Sequence, residues 1–278
     1  MIVHSIIVPF RDKFDLMRNA VASIPDRDDV QIILIYNGIE AFPDDFIPRR
    51  SKAIVTFLTS DPYKGAGHAR NVGLEKVQGK YVYFLDSDDF FTEDAFVAFD
   101  RYVDSGYDLV FFKPTSIYLK TGETSTRHKY YSDLVDEFLS TGKEDRIRYR
   151  WDGPVCKMIS MSMVRSKNIT FEEVFVSNDS RFSLNVGHNA RKVFADKSVV
   201  YVITEGEEGQ SLVKTRSAEN MFTRYQVSIR NNHYLKEIGH FDQHVRLLGA
   251  LKIALLEFGL TEFLKYLVYA IKNRAWIF

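Results

Sequence analysis

Within the first 115 residues, short apolar runs alternate with stretches in which apolar side chains recur at helical spacing. The runs at 5–10, 31–36, 53–58, 80–85 and 108–112 are nearly continuous in branched and aromatic residues, the pattern of strands covered on both faces. Residues 15–24, 68–77 and 93–103 carry the helical spacing, with glycine or proline near their ends, and are predicted helices. This rhythm predicts an α/β fold of βαβ units, with a mostly parallel sheet flanked by helices. Ligands of open α/β sheets gather outside the carboxyl ends of the strands. The loops leaving those ends are residues 10–12, 36–38, 61–67 and 86–89, all expected on one rim.

Beyond Phe112 the rhythm breaks. Segments 116–119 and 125–130 flank Lys-Thr-Gly-Glu and predict a hairpin over the rim. Residues 133–141 predict a helix, 155–164 fit either a strand or a helix, and 198–203 predict a strand leading into an acidic glycine loop at 205–209. From about residue 217 the spacing is helical to the end, giving three parts: 1–115, 116–216 and a C-terminal helical extension at 217–278. In that extension Tyr266, Tyr269, Trp276 and Phe278 stand beside Lys265, Lys272 and Arg274. Such helices suit first of all packing on the sheet domain or another subunit, and also an anchor at a membrane surface.

Charge sharpens this division. Lysine plus arginine equals aspartate plus glutamate over the whole chain, but residues 212–278 hold ten basic against five acidic side chains, so the basic character sits in the tail. No uncharged apolar stretch approaches the roughly 18–20 residues of a transmembrane helix. The N-terminus runs straight into strand-like sequence without signal-peptide features, and Cys156 is the single cysteine. Both predict a cytoplasmic protein, with no disulfide framework and no cysteine-rich zinc site. The Cys156 thiol is expected simply to be packed.

The predicted strand at 80–85 stops in Asp86-Ser87-Asp88-Asp89. Crowded carboxylates repel one another unless a cation takes up the charge, and hard oxygen ligands suit Mn²⁺ or Mg²⁺. The plainer alternative is a polar strand end leading into a helix capped by Thr92, with Glu93 and Asp94 in its first turn. That cap needs only one acid at most before it.

Four motifs then fall in order: Ser5-Ile-Ile-Val-Pro-Phe, Ile33-Leu-Ile-Tyr-Asn-Gly, Gly65-Ala-Gly-His-Ala-Arg-Asn-Val-Gly-Leu and Phe84-Leu-Asp-Ser-Asp-Asp. Their order and spacing resemble glycosyltransferase family 2, inverting nucleotide-sugar enzymes of the GT-A fold. The resemblance is close over about the first 115 residues and continues more weakly through residues 171–182. It implies that 1–115 bind the donor and 116–216 the acceptor. It places a DXD motif at Asp86, Ser87 and Asp88, with Asp86 near the ribose and Asp88 on a metal between the donor phosphates. Asp89 would lie behind these or at the helix entry. Pro9 and Phe10 would cup a uracil base, and Arg70, at a helix start with His68 and Asn71, would face the diphosphate.

The chain departs from the family where Tyr36-Asn37-Gly38 replaces an acid-containing turn, which loosens the preference for uridine. Asn37 still reads a pyrimidine edge by donating and accepting hydrogen bonds. Asn37-Gly38 is also a plain turn signal. In Ser177-Asn178-Asp179 the family carries a Glu-Asp pair, so Asp179 aligns with the general base and Asn178 replaces the preceding acid. Asp179 also suits a helix cap before Arg181, and Glu172 and Glu173 are alternative bases. Trp151 and Asp152 fall where relatives contact the acceptor, although a lone tryptophan is more often core. Residues 210–212, after Glu207 and Glu208, match a late loop that closes over the donor in relatives.

The function so implied is a hexosyltransferase-like enzyme of surface polysaccharide synthesis. It would move a sugar from a UDP-sugar to a glycan or lipid-linked hydroxyl, as a peripheral membrane protein at the cytoplasmic face, with manganese as cofactor and no nucleic-acid partner. Two rivals stay open. A sugar nucleotidyltransferase should show a glycine-rich basic loop after the first strand, and Pro9-Phe-Arg-Asp-Lys contains no glycine. A non-catalytic module of the same fold would bind UDP without releasing sugar.

Overall fold

The first half of the molecule realises the predicted βαβ units. Strand β1 (His4–Phe10), helix α1 (Phe14–Ala22), strands β2 (Val30–Tyr36) and β3 (Ile54–Thr59), helix α2 (Gly65–Lys76) and strand β4 (Tyr81–Phe84) follow in order. The computed structural model describes residues 1–12, 14–40, 42, 47–206 and 217–276. Every residue of β1 and β2 is buried, as their unbroken apolar runs require of strands with helices on both faces. Strand β3 is half-exposed because it forms the sheet edge.

Strand β5 (Phe90–Phe91), helix α3 (Ala95–Asp100), strand β6 (Leu109–Tyr118), helices α4 (Lys129–Thr141) and α5 (Asp145–Arg150), strand β7 (Lys157–Ser160), helices α6 (Met161–Ser166) and α7 (Ser180–Asn189) and strand β8 (Val193–Glu205) complete one eight-stranded sheet. Its order is β3-β2-β1-β4-β7-β6-β8-β5. The β1–β2, β1–β4, β2–β3 and β6–β8 pairings are parallel. Strand β7 runs antiparallel between β4 and β6, and β5 antiparallel to β8. The ambiguous segment at 155–164 is both elements in turn, a strand that passes directly into a helix.

The hairpin expected at 116–130 is present but short: an antiparallel bridge between Ile117 and Thr124 is flanked by Tyr118 N on the Glu123 carbonyl at 2.9 Å and Ser125 N on the Ser116 carbonyl at 2.8 Å. The Ser116 hydroxyl also joins Ser125 Oγ and His128 Nδ1, each at 2.7 Å, where the chain leads into α4. One expectation is corrected. Thr92 does not cap the following helix with its side chain. Its hydroxyl donates to the Val199 carbonyl at 2.8 Å, fastening β5 to β8.

One core runs from Ile6 to Ile203, so residues 1–115 and 116–216 share it, and β6 crosses the boundary between them. Helices α8 (Ala218–Glu237), α9 (Leu248–Phe258) and α10 (Leu260–Lys272) build a second, smaller cluster around Tyr225, Ile229, Leu251 and Tyr266. The outward stripe of α9 and α10 carries Leu256, Leu260, Leu264, Val268 and Ile271, all exposed. Among the described residues no helix is long and apolar enough to cross a membrane.

Candidate active site

The carboxyl ends of β1, β2 and β4 meet the N-termini of α2 and α7 at one rim. Leu85 N donates to the Ile7 carbonyl at 3.0 Å, continuing the β1–β4 ladder to the last residue before the acids. There the chain turns, with Asp89 N on the Asp86 carbonyl at 3.0 Å. The turn sends the three acids in different directions. Asp86 and Ser87 are partly exposed, Asp88 is exposed and Asp89 is buried.

Asp89 accepts from Tyr201 Oη at 2.9 Å and from Thr204 N at 2.7 Å. Tyr201 Oη in turn accepts from Asp86 N at 3.1 Å. Of the two positions anticipated for Asp89, the one behind Asp86 is therefore occupied, and it fixes the acidic turn to β8. Burial, then the charges of Asp86 and Asp88, push the Asp89 carboxyl well above the ordinary carboxylate range.

Arg70 reaches this turn from α2. Its guanidinium donates to Asp86 Oδ1 at 2.7 Å and to Asn178 Oδ1 at 2.9 Å, and it is 8% exposed against 38% for Asp86. Asn178, standing where the family carries an acid, is thus the acceptor that completes an Asp86–Arg70–Asn178 chain leading to Asp179. Sequence reasoning treated Asn178 only as a departure, because its partner lies 108 residues away. His68 and Asn71 do not face the rim's interior. His68 Nδ1 pairs with Glu173 at 2.9 Å, and Asn71 clamps the backbone of Phe171 through two hydrogen bonds. Gly67 permits this approach, since a Cβ there would overlap the Glu172 carbonyl.

Asp179 occupies the N-cap position of α7, yet its side chain makes no capping hydrogen bond. Its carboxylate is therefore not committed to the helix end, as the structural alternative required. Desolvation raises it to about 6, opposed by Arg70 and reinforced by Asp152 and Asp86. The other two bases considered are occupied. Glu172 takes two bonds from Arg230 at 3.1 Å each, and Glu173 is held by His68 and Lys64. Helix α8 secures α7 through Arg181, which donates to Asn231 Oδ1 at 2.8 Å and to the Arg230 carbonyl at 2.7 Å.

Three anticipated contacts look different in the structure. The Phe10 ring is 2% exposed, packed against Phe14, Tyr36, Phe42 and Phe57, so it offers no face to a base. Pro9 is paired with Ile35 inside the strand rather than ending it. Trp151 is 1% exposed between Phe111 and Tyr131 and cannot serve as a sugar platform. The exposed Asp152 beside it remains at the rim, its Oδ1 accepting from Tyr131 Oη at 2.8 Å. Asn37 is 7% exposed, and its backbone N–H donates to the Phe10 carbonyl at 2.9 Å. Tyr36 folds over Gly38, where a Cβ would collide with the tyrosine ring. Gly38 thus leaves room for the aromatic that replaces the family's acid. Residues 207–212 and Phe278 lie outside the described residues.

A divalent cation fits the chemistry of this rim. Among the described residues no cluster of three or more ligating side chains exists, and the acids of the turn diverge, with Asp86 on Arg70 and Asp89 buried against β8, so a cation would meet one or two carboxylates here. That matches the way Mg²⁺ binds, through one or two carboxylates with substrate phosphates completing the shell.

The mixed sheet with acids at its carboxyl edge is the GT-A fold of nucleotide-sugar glycosyltransferases. The chain belongs to glycosyl transferase family 2, whose family model matches residues 5–170. It is 24% identical over 208 residues to EpsH of Bacillus subtilis, covering 71% of this chain. It is also 24% identical over 187 residues to the GalNAc(5)-diNAcBac-PP-undecaprenol beta-1,3-glucosyltransferase of Campylobacter jejuni, covering 66% of this chain. In both cases the match spans 59% of the relative's length. Among solved structures, S. aureus TarS 1–349 in complex with UDP-GlcNAc superposes with a TM-score of 0.72 at 18% identity, covering 98% of this chain and 81% of that one. The mannosyltransferase PcManGT of Pyrobaculum calidifontis, in complex with GDP-Man and Mn²⁺, gives 0.58 at 15%, covering 97% and 75%. These structural likenesses establish the fold.

Proposed function

We propose that this chain is a metal-dependent inverting glycosyltransferase. It transfers a sugar from a nucleoside diphosphate, UDP first, to a hydroxyl of a glycan or lipid-linked acceptor in surface polysaccharide synthesis. The observation that carries the reading is the opposition of two carboxylate sets across Arg70: Asp86 and Asp88 on the donor side, and the uncapped Asp179 on the acceptor side. Residues 1–115 supply the donor surface and 116–216 the acceptor surface.

Asp179 removes the proton from the attacking hydroxyl. Attack from the face opposite the diphosphate inverts the anomeric carbon. Arg70 keeps Asp86 oriented toward the ribose and places positive charge beside the leaving group. Ser87 and the backbone around Pro9, Phe10 and Asn37 line the nucleotide's approach, and Asp152 offers a hydrogen-bond acceptor to the acceptor sugar. Mn²⁺ or Mg²⁺ held at Asp88 would neutralise charge on the departing diphosphate.

A thermal-shift screen with Mn²⁺ tests this directly. UDP-GlcNAc or another UDP-sugar is expected to raise the melting temperature by mass action, with GDP-mannose as the contrasting donor. A donor that binds but releases no sugar over a panel of acceptors would identify a non-catalytic module. Absence of any nucleotide-sugar response would remove the proposal.

The acceptor's lipid enters through the C-terminal helices. The exposed stripe of α9 and α10, with Lys252, Lys265 and Lys272 beside its leucines, lies in this reading on the cytoplasmic face of an anionic membrane. Co-flotation with vesicles containing phosphatidylglycerol, and not with pure phosphatidylcholine vesicles, is the expected result. Equal absence from both would return these helices to a protein-packing role.

A further inference from the structure

Strand β7 contains a lysine where its neighbours are apolar. Lys157 is 2% exposed in a strand whose four residues are all buried, between β4 and β6 in the middle of the sheet. Its Nζ donates to the Trp151 carbonyl at 3.3 Å and lies over the rings of Phe111 at 5.4 Å and Trp151 at 5.9 Å. A buried ammonium is costly, and an apolar residue of similar volume would stabilise the strand better. The preceding residue adds to that cost, since Cys156 holds φ at 60°, a backbone region non-glycine residues enter rarely and mostly near functional sites.

Register says where this lysine points. Tyr81 pairs with Ser160 and Val82 with Ile159, and continuing that register sets Lys157 beside Phe84, two residues before Asp86. Directly paired residues share a face of the sheet. The Phe84 ring packs edge-on against Phe171 and Phe182, and Phe182 sits in the first turn of α7, three residues after Asp179. Lys157 therefore faces the N-terminus of α7 from beneath, while Trp151, its hydrogen-bond partner, is followed by Asp152.

We infer that Lys157 is a positioning residue for the acceptor-side acids, its buried ammonium adding from beneath α7 to the positive charge that Arg70 sets against Asp179. The inference rests on Asp179 being the base. Burial lowers the ammonium to about 7, while Asp152, Asp179 and Cys156 raise it, so it carries its charge at the pH where Asp179 titrates, about 6. The neighbouring titratable groups are neutral there, because burial pushes the Cys156 thiol and the Tyr131 phenol well above their ordinary values. The other charges facing Asp179 are Arg70, which lowers it, and Asp152 and Asp86, which raise it, so Lys157 works alongside Arg70 and against the two acids.

The test is a carboxyl NMR titration of the full chain labelled with ¹³C-aspartate, the Asp179 signal being assigned by its loss in Asp179→Asn. Lys157→Met removes the charge and the Trp151 hydrogen bond, and Lys157→Gln removes the charge but retains a donor. Both are expected to raise the Asp179 midpoint by about one pH unit, and to melt no lower than the wild type. An unchanged midpoint in either folded variant overturns the inference. So does loss of fold in both, which would make Lys157 a packing residue. If the midpoint moves while the wild type transfers no sugar from any nucleotide donor, the coupling stands and the proposed reaction falls.

Discussion

Asp179→Asn is expected to lower sugar transfer by about 10²- to 10⁴-fold, the usual contribution of a positioned general base, while UDP binding in the presence of Mn²⁺ stays unchanged. The split follows from geometry. Asp179 is joined to the donor side through Asn178 and Arg70, and its own side chain makes no capping bond whose loss would loosen α7. In the wild type, transfer should rise with pH through about 6 as Asp179 ionises. The variant should lose this dependence along with the rate.

Stability supplies an independent control with a defined sign. Folding raises Asp179 from 3.8 to about 6, so the native state favours its protonated form. That contribution is complete below about 4 and is lost as pH rises through 6. Asparagine cannot ionise, so Asp179→Asn should melt above the wild type at pH 7.5 and together with it below pH 4. A variant that melts lower at pH 7.5 would mean that the carboxylate supports α7. Near-normal transfer would remove Asp179 as the base.

The parts of the molecule legible in the sequence are those where one local signal suffices. Continuous apolar runs marked β1, β2 and β4 because both faces of these strands are buried. The acids after β4 marked the rim because no apolar core accepts them unpaired. The sequence marks strand β6 only to Phe112, because Lys113 and Pro114 interrupt the apolar run. The structure absorbs them as register shifts against β8, and Pro114 lacks the N–H that a regular ladder needs.

Side-chain direction was less legible than position. Phe10 and Trp151 stand at the right points in the chain, but whether an aromatic ring faces solvent or core is decided by partners such as Phe42 and Tyr131. Asn178 and Lys157 were missed for a related reason. Their meaning lies in Arg70 and in the face beneath α7, contacts that only the folded chain creates. The one local sign for Lys157 was a charge inside the run Val155-Cys156-Lys157-Met158-Ile159.

Asp88→Ala should abolish the stabilisation of the protein by UDP with Mn²⁺ while leaving the unliganded melting temperature in place. The turn that carries Asp88 is held by its backbone: Thr204 Oγ1 donates to the Asp88 carbonyl at 2.6 Å, and Asp89 anchors the same turn to β8. An exposed carboxylate on such a turn is removed without opening the core. In the wild type, UDP at a hundredfold excess over its Kd adds about 2.7 kcal/mol, or roughly 5–10 °C for a chain of this size. EDTA should erase that shift in the wild type, and in Asp88→Ala there should be none to erase. Retention of a Mn²⁺-dependent UDP shift by Asp88→Ala would move the cation elsewhere on the rim. The donor-side assignment would then have to be rebuilt around Asp86, whose carboxylate already answers to Arg70.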